Sequence, residues 1–190
     1  MFEGNMMHIL SKAENYILKK SESNILIALF AVIYFASQII IGSILHQVGT
    51  LKALALQTTM CSEKFKAIAS GWITSGNIAA YYRHFYFDHF HPIWYSIFLS
   101  LLIARTFKIN HVSPRFHWLI LTPFIAALCD FFENMMHLYF LADLNRATPV
   151  LVALSGLATN TKWILAGVGV AVVTVLMAVW LVKKFILKEN

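Results

Sequence analysis

Charge is what this chain has least of. Of its 190 residues, 13% are Asp, Glu, Lys or Arg while 59% are hydrophobic, and so little polar surface cannot cover the core of a soluble domain. The scarcity of charge points to a membrane. Cysteine is nearly missing as well: Cys61 and Cys129 are far apart and Cys129 lies in an apolar run, which argues against a disulfide framework. Arginine-rich blocks and basic stripes interleaved with aromatics are absent, so the net charge of +6 does not point to nucleic acid. No G-x-S-x-G, H-E-x-x-H, Walker A or dinucleotide fingerprint occurs, which removes motif support from the familiar hydrolases, proteases, ATPases and oxidoreductases.

What is present is apolar and long. A spanning helix takes ~20 residues, and runs at about 25–45, 80–107, 118–141 and 163–182 supply four. The expected fold class is all-α: an integral membrane four-helix bundle forming a single transmembrane domain over residues 1–190. The second run reads as one helix kinked at Pro92, and the third carries Pro123 in its first turns. Residues 142–161, with Pro149, Gly156 and Asn160, read as a loop that leaves Lys162 at the outer start of the last span. Ahead of the bundle, Met6, Ile9, Leu10, Ala13, Tyr16 and Ile17 recur at helical spacing, predicting an N-terminal amphipathic helix over 5–20 on the membrane surface. Residues 46–79 are more polar yet contain Leu51, Leu54, Phe65 and Ile68, and predict short helices forming a capping segment between spans 1 and 2.

Basic residues orient such a bundle. Lys12, Lys19, Lys20, Arg105, Lys108, Arg115, Lys183, Lys184 and Lys188 fall on one side; Lys52, Lys64, Lys66, Arg83, Arg146 and Lys162 fall on the other, in longer segments. The expectation is a bacterial-type inner-membrane protein with both termini cytoplasmic.

Two polar faces interrupt the apolar pattern. Asp130, Glu133, Asn134 and His137 share an arc of about 100° on one predicted helix. An ionisable group near the bilayer centre costs at least ~2.5–3.5 kcal/mol, so such a stripe implies a protein-lined pocket or water-filled cavity. On the preceding antiparallel helix, Tyr81, His84, Asp88, His91 and Tyr95 also share a narrow face. The two stripes predict a site near the non-cytoplasmic side, with His137 at its mouth. Asp130, Glu133 and Asp88 are the candidate acid/base residues; Asn134, Tyr81, Tyr95 and Gln38 are candidate binding residues.

The residue types permit three chemistries. His84, Asp88, His91, Glu133 and His137 are candidate ligands for a divalent metal such as zinc, because histidine and carboxylate pairs one helical turn apart can converge on one ion. Without metal, carboxylates in unlike environments serve as general acid and base. The same groups can pass protons or hold an ion for transport. A plainer reading is assembly glue, with Asp88 or Glu133 paired to Arg83 or a histidine across helices.

The ordered set Gln57, Phe65, Trp72, Tyr82, His84, Asp88, Pro92, Tyr95, Asp130, Glu133 and Asn134 resembles a pattern in an uncharacterised family of small four-span bacterial membrane proteins, over roughly residues 50–140. That resemblance carries no activity. Ligand pairs at a spacing of four are also similar to the metal sites of cation-diffusion facilitators, although the six-helix arrangement and cytoplasmic domain of that family are missing. Intramembrane acids with histidine bear a distant likeness to sterol isomerases. The residues themselves favour an enzyme acting on a lipid or other lipophilic substrate by acid/base or metal-assisted chemistry, with membrane lipids as its surroundings. The alternatives are an ion- or proton-coupled transporter, which with four spans would need a homo-oligomer, and a non-catalytic assembly subunit.

Overall fold

A computed structural model describes residues 2–186. Among these residues there is no strand; the α-helices are α1 (Phe2–Lys20), α2 (Asn24–Val48), α3 (Thr50–Thr58), α4 (Ser62–Thr74), α5 (Ile78–Asp88), α6 (His91–Ile109), α7 (Thr122–Ala142) and α8 (Pro149–Leu181). Short 3-10 stretches cover Pro114–Leu121 and Leu144–Arg146. Four stretches are long and apolar enough to cross a membrane: Asn24–Val48, His91–Ile109, Pro114–Ala142 and Pro149–Phe185.

Two expected boundaries are corrected, and proline explains both. The predicted helix over 80–107 is two helices, because the chain turns at His89–Phe90 and Pro92 sits in the first turn of α6. Proline there lacks an N–H that would have no partner in any case, so it starts a helix rather than kinking one. The predicted loop over 142–161 shrinks to the segment before Pro149, which opens α8 behind a Thr148 cap. With 33 residues, α8 is roughly 50 Å long at ~1.5 Å per residue, well beyond a hydrocarbon core of ~30 Å. Lys162 therefore lies inside a helix and not on a loop.

Packing divides the long helices into inner and outer pairs. More than half of α6's apolar window and nearly half of α7's are buried, against almost none of α2's and α8's. The most apolar helices are thus the least covered by protein, as expected where lipid is the solvent. Both α2 and α8 lie on α6 and hardly touch each other. Gly169 lets α8 close on α6, where a Cβ would stand 2.8 Å from Leu99 Cδ2. At the chain's start, Ser23 caps α2 by accepting from Leu26 N–H at 3.2 Å, and the Arg105 guanidinium donates to the Ser21 and Glu22 carbonyls and to Asn24 Oδ1. Those bonds fasten the α1–α2 turn to the far end of α6.

Residues 46–79, expected to form a capping segment, run through the end of α2, then α3 and α4, to the start of α5. Leu56, Phe65 and Trp72 pack with Tyr81, Phe140 and Val152 in one buried cluster, joining the cap to α5, the end of α7 and the start of α8. Trp72 Nε1 donates to the Val48 carbonyl at 3.0 Å, and Asn160 Nδ2 donates to the Thr58 carbonyl at 3.1 Å. Gly156 is what permits this closeness: a Cβ there would collide with the Thr59 carbonyl oxygen. Gly156→Ala should therefore destabilise the protein by about 1–3 kcal/mol, whereas Gly167→Ala, whose Cβ meets nothing within 4 Å, should melt within a degree or two of the native chain. Thermal unfolding in detergent, followed by tryptophan fluorescence, checks the pair.

Candidate functional site

The stripe on α7 is buried along its whole length. Asp130, Glu133, Asn134 and His137 are each 3% exposed or less, so their partners must come from neighbouring helices. The main partner is Lys162 of α8, itself buried: its Nζ donates to Asp130 Oδ1 at 2.9 Å and to Glu133 Oε2 at 2.6 Å. One ammonium thus joins two carboxylates that α7 presents three residues apart. The second Glu133 oxygen, Oε1, is buried without a partner.

The remaining predicted residues separate into three groups. Asn134 Nδ2 donates to the Asp88 carbonyl at 3.1 Å, closing the last turn of α5 with a donor that turn lacks. His137, expected at the mouth, is instead sealed beneath the cap between Phe65 and Phe140, with its Nδ1 3.0 Å from the Tyr81 hydroxyl. Tyr81 is fully buried. His84 lies on the same side of α5: its Nδ1 donates to the Tyr81 carbonyl, which leaves the Nε2 lone pair facing Asp88 Oδ2 at 3.8 Å, too far for a hydrogen bond. Burial holds the His84 imidazole down at about 4, hence neutral near pH 7. Burial, reinforced by the Asp130 carboxylate, pushes Asp88 up to about 7.

Asp88, His91, Tyr95, Asp130 and Lys162 meet at a cavity of about 370 Å³, joined by Gln38 from α2 and Gln57 from the cap. Glu133 stands behind Lys162 and does not reach it. His91 Nδ1 is 2.8 Å from Ser37 Oγ, and with the Ser37 hydroxyl donating to the Tyr34 carbonyl at 2.9 Å the His91 proton is assigned to Nδ1. Nε2 of His91 then carries a lone pair at the cavity. The Tyr95 hydroxyl lies close to the Asp130 carboxylate but falls short of hydrogen-bond geometry with it. Arg83 pairs with neither acid; it donates to Gln47 Oε1 at 2.7 Å.

The candidate metal ligands are not gathered into one shell. Among the described residues no three His, Cys, Asp or Glu side chains converge as a metal site: Glu133 is bound to Lys162, His137 to Tyr81 and His91 to Ser37, while His84 and Asp88 make an isolated pair. The cation among these carboxylates is the lysine's own. Lys162 is the residue of this site that the spacing of the acids and histidines does not reveal. One signal could have found it, since it is the sole charge between Arg146 and Lys183.

Compared with models of known protein families, with curated proteins and with solved structures, the chain finds no match in any of the three. The site is therefore read from its own geometry.

Two outcomes follow from that geometry. Lys162→Met strands two buried carboxylates and should cost about 3–5 kcal/mol of stability, while adding Asp130→Asn and Glu133→Gln to it should recover much of the loss, both read from thermal unfolding. Asp88 is raised in the folded state, with Asp130, Glu133, Lys162 and His84 around it, so the folded chain binds its proton more tightly than the unfolded chain does. Its contribution is then fully present at low pH and declines as pH rises from about 4 through about 7. The melting temperature of Asp88→Asn relative to native should accordingly climb between pH 4 and 7 and level off above.

Proposed function

We propose that this protein is an integral membrane enzyme that performs acid/base chemistry on a lipophilic substrate. One observation carries the reading: the cavity has an acidic and imidazole-lined end at Asp88, His91, Tyr95, Asp130 and Lys162, and an apolar end at Phe98, Leu99, Leu102, Ala166, Val170 and Val173. A volume of about 370 Å³ falls in the ~300–1,000 Å³ range of ligand sites. In this reading Asp88, poised near neutrality, supplies a proton, and His91 Nε2 or Asp130 accepts one. Glu133 and Lys162 are positioning residues that hold the Asp130 carboxylate at the cavity wall, with a buried charge network setting its orientation.

The same observation favours an enzyme over an ion- or proton-coupled transporter. Polar lining stops at Tyr95 on α6 and Lys162 on α8, and along the following turns the lining is apolar until Thr174, so charged groups do not continue toward the other end of the helices. An assembly role is disfavoured by the cavity itself and by partnerless polar atoms beside it. We further place the protein in a bacterial-type inner membrane with both termini cytoplasmic. With Lys162 neutralised inside α8, the cap side retains Lys52, Lys64, Lys66, Arg83 and Arg146 against eight basic residues at the opposite end among the described residues, which strengthens the positive-inside bias.

Purified protein in nanodiscs, incubated in D2O with a total bacterial lipid extract, tests the reaction class. The native chain should convert or deuterate at least one lipophilic species, and Asp130→Asn should do so at least tenfold more slowly, as read by untargeted mass spectrometry. An extract that the native chain leaves identical to the Asp130→Asn sample, together with acid-driven proton flux in vesicles, would replace the enzyme with the transporter.

A further inference from the structure

The cavity is long, one-sided and open to the flank of the helices. Leu102 lies eleven residues beyond His91 on α6, and Thr174 twelve beyond Lys162 on α8, which is about 16–18 Å along either helix at ~1.5 Å per residue. Its edges are Phe35 of α2 and Trp163 and Val170 of α8, each more than half exposed. Because α2 and α8 hardly touch while both rest on α6, the cavity forms a groove whose floor is α6 and whose open side faces the region occupied by lipid tails. A chain can be received there from the bilayer without crossing water.

The head end is selective by charge. Asp88, Asp130 and Glu133 oppose a phosphate or other anionic head. An ammonium head would meet the fixed Lys162 ammonium, which already holds Asp130 Oδ1 and Glu133 Oε2. Two donors are left at this end. An ammonium has three protons, of which Asp130 and Glu133 take two, and the Tyr95 hydroxyl is buried without a partner. An unpaired buried donor costs about 1–3 kcal/mol, which an acceptor oxygen on a ligand would relieve.

Resting on the enzyme reading above, we infer that the substrate is a single-chain lipophile with an uncharged oxygen head, a hydroxyl or carbonyl, received laterally between α2 and α8 with its chain along α6. The head oxygen accepts from Lys162 and Tyr95, and the position next to it faces Asp88, Asp130 and His91 Nε2. A two-chain phospholipid is disfavoured twice, by a cavity of about 370 Å³, near the small end of the ~300–1,000 Å³ range of ligand sites, and by a head end that opposes phosphate.

The full-length protein in phosphatidylcholine nanodiscs, exposed to diazirine-bearing dodecanol, dodecyl phosphate or dodecylamine and photolysed, tests this directly. Peptide mapping should locate the alcohol probe on residues 163–174 of α8 and 91–102 of α6, with labelling at least tenfold above that of either charged probe. Ala166→Trp, which fills the groove wall, should reduce that labelling at least tenfold, and Gly167→Trp, on the uncrowded side of α8, should leave it within twofold. Equal or stronger groove labelling by dodecyl phosphate or dodecylamine would overturn the uncharged head while leaving a lipophilic substrate in place. No groove labelling by any of the three probes would remove the lipophile reading itself.

Discussion

The Lys162 ammonium held between Asp130 and Glu133 is the contact on which the arrangement depends. It is the point where α7 and α8, the most closely associated pair of helices, exchange charge rather than apolar surface. Isolated, any of the three groups would pay several kcal/mol to leave water; together they are tolerable, and the geometry that makes them so also determines how far α8 is rotated about its axis. That rotation turns Gly156 toward the cap, where a Cβ would collide with the Thr59 backbone, and Gly169 toward α6, where a Cβ would press on the end of the Leu99 side chain. Asp130 reaches the cavity because Lys162 pulls on it from one side, and Glu133 is kept out because Lys162 stands in front of it.

The cap has a related role. The part of α8 before Lys162 packs against α3, α4 and the end of α7, while the part beyond it lies on α6 with its outer face uncovered. His84, His137 and Tyr81 lie in the covered part, bonded to one another or to the backbone. They are walled off from the cavity by the residues that line it. The histidines singled out by sequence therefore divide: His91 meets the cavity, His137 joins α7 to α5 through Tyr81, and His84 bonds the backbone of its own helix.

Much of this was legible in advance. An acid and histidine stripe in an apolar run has one arrangement that avoids lipid, so the burial of Asp130, Glu133, Asn134 and His137 could be read from spacing. The cap could be read from apolar residues recurring in a polar stretch. The answering lysine is harder to read: it is the sole charge in a long apolar run, but Pro149, Gly156 and Asn160 before it have the composition of a loop. Each instead has a helical use: Pro149 begins α8, Gly156 admits the Thr59 backbone, and Asn160 ties down Thr58. Pro92 misled in the same way, since a helix start and a helix kink carry the same residue. Depth was the other loss. Counting residues along one helix puts His137 near a boundary, and counting does not reveal that Phe65 from α4 packs against it.

The gap between α2 and α8 also decides which concentration the site would sense. A groove open to lipid tails samples molecules by their mole fraction in the plane of the bilayer, not by their amount in water. Adding inert lipid would dilute its occupant as surely as lowering the total quantity, and a molecule too insoluble to be measured in solution could still fill the site.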